Sequence, residues 1–208
     1  MCISTINNYR IHRRTTLNLA YLKYLILLIT FPFGIDAFSQ QTFTEYFNQG
    51  KTAFEKSDFE SANLNFQNAI STFNNKNDSV SLGHSYLYLA MVYGKLNNYP
   101  KSEEYAIASK NIFYHFKNDT LLIRSYNILG NLSSVKGNTK EAIKYYHQGL
   151  EIANTLELYN TQGSLLINIG SVYTSEKNYD LSIQYFKRGL VIADKIKSKY
   201  INSGAENV

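Results

Sequence analysis

Residues 126–151 read YNILGNLSSVKGNTKEAIKYYHQGLE. In this stretch Leu129-Gly130 is followed twelve residues on by Ala142, then by Tyr146 and Gly149. The same positions recur along the chain every forty residues. Gly50, Ala90, Gly130 and Gly170 come first, then Ala62, Ser102, Ala142 and Ser182. Phe66, Ala106, Tyr146 and Phe186 stand four residues later, and Ala69, Ser109, Gly149 and Gly189 three beyond those. Self-similarity at a period of this size is the mark of a solenoid. Such an array buries its core between stacked neighbours and offers a long concave surface. The pattern therefore points to interaction rather than chemistry.

Each copy reads as two antiparallel helices joined by a short turn. Asp58-Phe59, Asn98-Tyr99, Asn138-Thr139 and Asn178-Tyr179 mark those turns, with Asp or Asn as helix caps. The chain has two prolines, Pro32 and Pro100. Pro100 falls in the first turn of a helix, where its missing N–H costs nothing. Small residues on the first helix are expected to face small residues on the second, Gly130 against Ala142, at the lower end of the ~8–10 Å axis separation. The aromatic residue of the second helix should fill the space towards the next pair, which absorbs most of the Phe and Tyr and leaves no base-stacking surface.

The copies resemble the tetratricopeptide repeat family, whose signature runs leucine-glycine, tyrosine, alanine, phenylalanine. The third copy matches at Leu129-Gly130, Ala142 and Tyr146, with Ser133 replacing an aromatic. The fourth restores that aromatic, with Ile169-Gly170, Tyr173, Ser182 and Phe186. The second has Leu89-Ala90, Tyr93 and Ser102, but Ala106 breaks the aromatic rule. The first has Gly50, Ala62, Phe66 and Ala69, with Gln49 in place of the leucine. Tyr46, Tyr86, Tyr126 and Leu166 stand where the family opens on tryptophan. The resemblance covers residues 43–196 and implies an all-α, right-handed α-solenoid of stacked helix pairs. The expected units are about 43–80, 81–120, 121–160 and 161–199, within a repeat region of 40–199. The family's usual repeat is 34 residues. The surplus, in stretches such as 71–77, 111–118 and 154–160, is expected to lengthen the helices by about one and a half turns. Repeats this long are similar to those of bacterial regulators and of sensory regions joined to histidine kinases or helix-turn-helix factors.

Charge sharpens the class. The net charge is +5, from 21 basic and 16 acidic residues. Arg10, Arg13, Arg14 and Lys23 all precede residue 40, with only Asp36 against them, which leaves 17 basic and 15 acidic residues, a net of +2. No basic stripe remains to neutralise phosphates, so nucleic acid is not an expected partner. The one cysteine, Cys2, lies in the same leading segment, so the repeats hold no disulfide. Residues 1–39 have the three-part layout of a secretory signal peptide. A basic start leads into the apolar run 24–35 (YLILLITFPFGI), and Ala37-Phe38-Ser39 offers a cleavage site. The run is too short for a spanning helix of about 20 residues. Extending it back through Lys23 to Leu17 reaches that length, so a membrane anchor over 17–38 is the alternative. The expected location is exported, periplasmic or extracellular.

No catalytic, cofactor or metal constellation is present in the sequence. His84, His115 and His147 lack a second ligand at metal spacing. Glu103-Glu104 is a solvated pair at a helix start. The sequons at Asn77, Asn118 and Asn131 are chance matches in an Asn-rich chain. The expected function is that of an exported interaction or scaffold module, not an enzyme, holding a protein or peptide in its groove. The alternative is the sensory region of a signal-transduction protein. The first helices should line the concave face with Phe47, Lys51, Leu87, Met91, Arg124, Asn127, Asn131, Ile167, Ser171 and Thr174. Asn127 and Asn131 share a face, and their amides suit the backbone of an extended peptide. Residues 200–208 (YINSGAENV) read as the start of an incomplete fifth repeat. The outer face of 179–197, with Ile183, Phe186, Leu190 and Ile192, would then be uncapped and open to self-association.

Overall fold

The computed structural model describes residues 42–74 and 78–205, with side chains through Lys197. The leader, its cleavage site, the apolar run and the sequon at Asn77 lie outside these described residues. Eight helices follow in order, with no strand among the described residues. They are α1 (42–55), α2 (Phe59–Thr72), α3 (Ser79–Lys95), α4 (Tyr99–His115), α5 (Asp119–Val135), α6 (Thr139–Thr155), α7 (Tyr159–Ser175) and α8 (Tyr179–Ala205). Consecutive helices pair antiparallel and stack into an all-α solenoid, each helix packed on the one before and the one after.

The forty-residue period resolves into two equal halves. Helices α3 to α7 are 17 residues each, and the turns 96–98, 116–118, 136–138, 156–158 and 176–178 join them. Turns between units have the same build as turns within units. The middle residue is left-handed every time, at Asn97 (φ 58), Lys117 (φ 52), Gly137 (φ 75), Glu157 (φ 52) and Lys177 (φ 60). The next N–H reaches back to close the helix, from Asn98 to the Tyr93 carbonyl (2.8 Å), Asn118 to Phe113 (2.9 Å) and Asn178 to Tyr173 (2.9 Å). The side chain of that same residue then caps the following helix, accepting from the N–H of Lys101, Leu121 and Leu181 respectively. One Asn thus ends one helix and begins another. The surplus over the family's usual repeat lengthens helices as expected, and both members of a pair share it.

The repeat-position glycines Gly50, Gly130 and Gly170 do not face small residues. A methyl group added to Gly130 would stand 2.5 Å from the Tyr146 ring, and one on Gly170 2.6 Å from Phe186. On Gly50 it would stand 2.8 Å from Phe66. The expected contact of Gly130 with Ala142 is therefore corrected. The flat ring of the same unit takes the space that the missing Cβ leaves, and then reaches Leu165, Leu166 and Ile169 of the next unit. Small residues make their close approach elsewhere, through hydroxyls. Ser102 donates to the Ala90 carbonyl (2.6 Å), and Ser109 and Ser125 meet across α4 and α5 (2.9 Å). Bonding of this kind offsets the cost of burying those oxygens.

The two ends of the stack differ. Later first helices bury Leu89 and Val92, Leu129 and Leu132, or Ile169 and Val172 against the preceding unit. At the same positions α1 presents Gln49 and Thr52, both exposed. The departure at Gln49 thus has a structural reason, since it belongs to a polar face. On α8 the stripe Tyr179, Ile183, Phe186 and Leu190 is 59%, 50%, 37% and 66% exposed. Ile192, expected on that stripe, turns inward and packs on the core of units three and four. The expected turn before residue 200 does not form. With Lys197 at the left-handed position, that conformation costs about 1–2 kcal/mol, and α8 instead continues unbroken through Ala205. Residues 200–205 therefore extend α8 rather than begin a fifth unit.

Candidate functional site

The backbones of the first helices approach one another from unit to unit, α3 against α5 and α5 against α7. The backbones of the second helices α4, α6 and α8 do not meet. The first helices therefore form the inner, concave face. A recess of about 470 Å³ crosses it, lined by Met91 of α3, by Arg124, Asn127 and Asn131 of α5, and by Asn160 and Ser164 of α7.

Polar chemistry dominates this stretch. Asn127 Oδ1 accepts from Asn168 Nδ2 (2.8 Å), bridging the third and fourth units. Asn131 Oδ1 accepts from the Tyr146 hydroxyl (2.6 Å). Burial pushes that hydroxyl up to about 12, so it stays a neutral donor. Both bonds engage the amide oxygens and leave the amide nitrogens of Asn127 and Asn131 to donate to a ligand. Arg124 is exposed, and its Nη2 donates to Met91 Sδ at 3.8 Å. A guanidinium held this way keeps its donor fork for a carbonyl or carboxylate.

Four expected residues, Met91, Arg124, Asn127 and Asn131, come together in this recess. The others scatter. Phe47 is half-buried, edge-on to Phe66 (5.7 Å) and Tyr88 (5.7 Å). Lys51 is half-buried on α1. Leu87 is corrected: it is fully buried, with Phe113, Leu121, Leu122 and Tyr126. The apolar cluster that joins α3 to α4 and α5 takes its side chain. Ile167 is 52% exposed on α7. Ser171 and Thr174 follow it, but their hydroxyls donate to the Ile167 (2.9 Å) and Gly170 (3.1 Å) carbonyls of their own helix. The sequence reading missed Asn160, Ser164 and Asn168. The period itself held the signal for the second, because Ser164 is Arg124 moved on by one repeat.

Two histidines are held below the ordinary imidazole range. Burial is the first cause in both. At His84, Arg124 and Lys51 add to it and Asp78 opposes it; at His147, Arg188 adds to it. His147 Nε2 lies 3.0 Å from the Tyr185 hydroxyl, joining α6 to α8. A lowered folded-state value means stability that is complete above the unfolded value and lost as pH falls from there through the lowered folded-state value. The urea midpoint should therefore drop between about pH 7 and about pH 5, and drop less in the His84→Gln/His147→Gln double variant. Identical slopes in the two proteins would remove these histidines from the account.

Stacked helical hairpins with a concave inner face define an α-solenoid of helix-pair repeats. Two of the chain's units are tetratricopeptide repeats: the tetratricopeptide repeat model matches residues 123–155 and 163–195, which fall on α5 with α6 and on α7 with α8. Among solved structures, it is similar to the apo form of RapI, at 21% identity and a TM-score of 0.69 over 74% of this chain and 57% of that one. It is also similar to the Rap conjugation gene regulator of plasmid pLS20 in complex with a Phr peptide (14%, TM-score 0.63, 72% of this chain and 42% of that one). A third is a Signal Transduction ATPase with Numerous Domains from Pyrococcus horikoshii, carrying a tetratricopeptide repeat sensor (22%, TM-score 0.65, 86% of this chain and 28% of that one). The chain thus spans little more than half the length of the first of these, and less of the others. No curated protein matches the chain by sequence.

Proposed function

We propose that this chain is a protein-interaction module that holds an extended peptide segment along the concave face, without covalent chemistry of its own. The observation that carries the proposal is the recess of α3, α5 and α7. There the amide nitrogens of Asn127 and Asn131 and the fork of Arg124 share one surface, the local partners of the two asparagines occupying only their acceptor oxygens and Met91 Sδ taking one guanidinium N–H. An extended backbone offers a carbonyl on alternate sides at each residue, which suits a row of donors on one helix. The regulator of pLS20, a protein with the same fold, is described in complex with a peptide, which supports this class of ligand. Peptides selected against the full chain from a random display library are the test. Arg124→Ala combined with Asn131→Ala should weaken them by about tenfold, with Lys140→Ala on the solvent side as the unaffected control. Selected peptides indifferent to the double change would place recognition elsewhere.

Export forms part of the same proposal. It rests on the basic start, apolar run and small residues of 1–39. The mass of the natural protein checks it: the expected form begins at Gln40, and a cytoplasmic form retaining Met1 would refute export. A second reading, the sensory part of a signal-transduction protein, draws on the Pyrococcus protein, in which a tetratricopeptide repeat sensor belongs to a longer chain. A kinase or helix-turn-helix segment encoded in continuity with this chain would decide for it.

A further inference from the structure

At the repeat position of Gly50, Ala90, Gly130 and Gly170, three of the four units lock a ring onto a glycine, and the second does not. Phe66 lies on Gly50, Tyr146 on Gly130 and Phe186 on Gly170. In the second unit the pair is Ala90 with Ala106, both fully buried. The two exchanges belong together. A Cβ at the first position would stand 2.5–2.8 Å from the ring in the other units, so an alanine at 90 excludes an aromatic residue at 106.

Losing the ring leaves space. Leu129 and Leu132 of α5 close part of it by packing on Ala90 and Ala106. Beside this pair lies a recess of about 320 Å³ between α3 and α5, with Ala90, Ser102 and Leu132 at its base and Met91, Lys95, Tyr99, Asn131 and Val135 around it. It shares Met91, Ile128 and Asn131 with the polar recess next to it, so the two form one continuous groove. The base offers no free polar group, because the Ser102 hydroxyl is bonded to the Ala90 carbonyl. The volume exceeds the roughly 150 Å³ at which an apolar cavity already takes benzene.

The rim sets the chemistry of the occupant. In the third unit Asn131 receives the Tyr146 hydroxyl, and the residue one repeat earlier is Met91. A thioether there cannot serve a phenol as that amide does, but it makes favourable contact with the edge of an unsubstituted ring.

We propose that this recess is the anchor pocket of the groove and takes one phenylalanine side chain of the bound peptide. The ligand supplies the ring that the second unit lacks at position 106, while Arg124, Asn127 and Asn131 hold the neighbouring backbone. The pocket rests on reading the concave face as a peptide site, but its first test needs no peptide. Met91 is one of two methionines, the other being Met1, so an isotope-labelled methionine methyl reports the rim directly. Toluene, added to the full chain, should shift the Met91 signal saturably and give nuclear Overhauser contacts to it, and p-cresol should bind more weakly.

The Ala90→Gly/Ala106→Phe variant rebuilds the Gly50–Phe66 arrangement and fills the recess from within. It should keep the wild-type helical spectrum and weaken toluene by at least about tenfold. Phe→Ala changes in library-selected peptides should cost affinity in the wild type and not in that variant. The absence of a saturable toluene shift or of contacts to Met91 in the wild type would overturn the pocket, whatever the variant does. Unchanged toluene binding in a folded variant would do the same. Toluene binding without any selectable peptide would leave the pocket standing and refute the peptide groove.

Discussion

Tyr146→Ala is expected to cost about 3–5 kcal/mol in the wild-type protein and markedly less when Gly130 is already alanine. The ring is 2% exposed and lies where a Cβ on Gly130 would sit. Removing it alone opens a cavity between α5, α6 and α7, and also strips Asn131 of its 2.6 Å donor. Adding the methyl alone overpacks the contact at about 1–3 kcal/mol, of which better helix propensity returns roughly 1. Making both changes reproduces the Ala90–Ala106 pair that the second unit uses natively. Urea titrations of the four proteins should give a coupling of about 0.5–3 kcal/mol. Strict additivity would mean that ring and glycine do not share a contact.

Phe113→Ala should be as damaging, with a different signature. Phe113 is fully buried, and a Cβ on Gly83 would stand 2.8 Å from its ring. It faces His84 edge-on at 5.8 Å and joins Leu87 of α3 to Leu121, Leu122 and Tyr126 of α5. It therefore seals the interface between the second and third units. A loss of about 3–5 kcal/mol is expected. In a solenoid, unit and interface terms add along the array, so a weakened interface uncouples its two sides. The unfolding transition should accordingly broaden or split. One sharp transition with a loss under about 1 kcal/mol would show that the interface is held elsewhere.

The concave site was only half legible in the sequence. Met91, Arg124, Asn127 and Asn131 followed from projecting one turn to either side of the small residues, because side chains on a helix face repeat at i and i+4. Leu87 sits on the same projected row, yet it is buried in the core. A projection treats all units as identical, whereas Leu87 is fully buried and Ile167, the same position two repeats on, is 52% exposed. The hydroxyls of Ser171 and Thr174 bond back to their own helix, a local competition that spacing does not reveal.

The sequence by itself determined the repeat, its period, the helix pairs and the caps at Asp58, Asn98 and Asn178, though not at Asn138, whose side chain makes no cap bond, because these depend on contacts within a few residues and on the identity of Asn, Asp and Gly at the turns. Only the tertiary structure decided what each small residue faces. Gly130 accommodates a ring sixteen residues away rather than Ala142, and the Ala90–Ala106 exchange becomes an open recess only when α5 stands beside α3. It also decided that α8 runs on where the period called for a turn. A left-handed turn costs about 1–2 kcal/mol for a residue other than glycine, and whether packing repays that cost depends on neighbours that are distant along the chain.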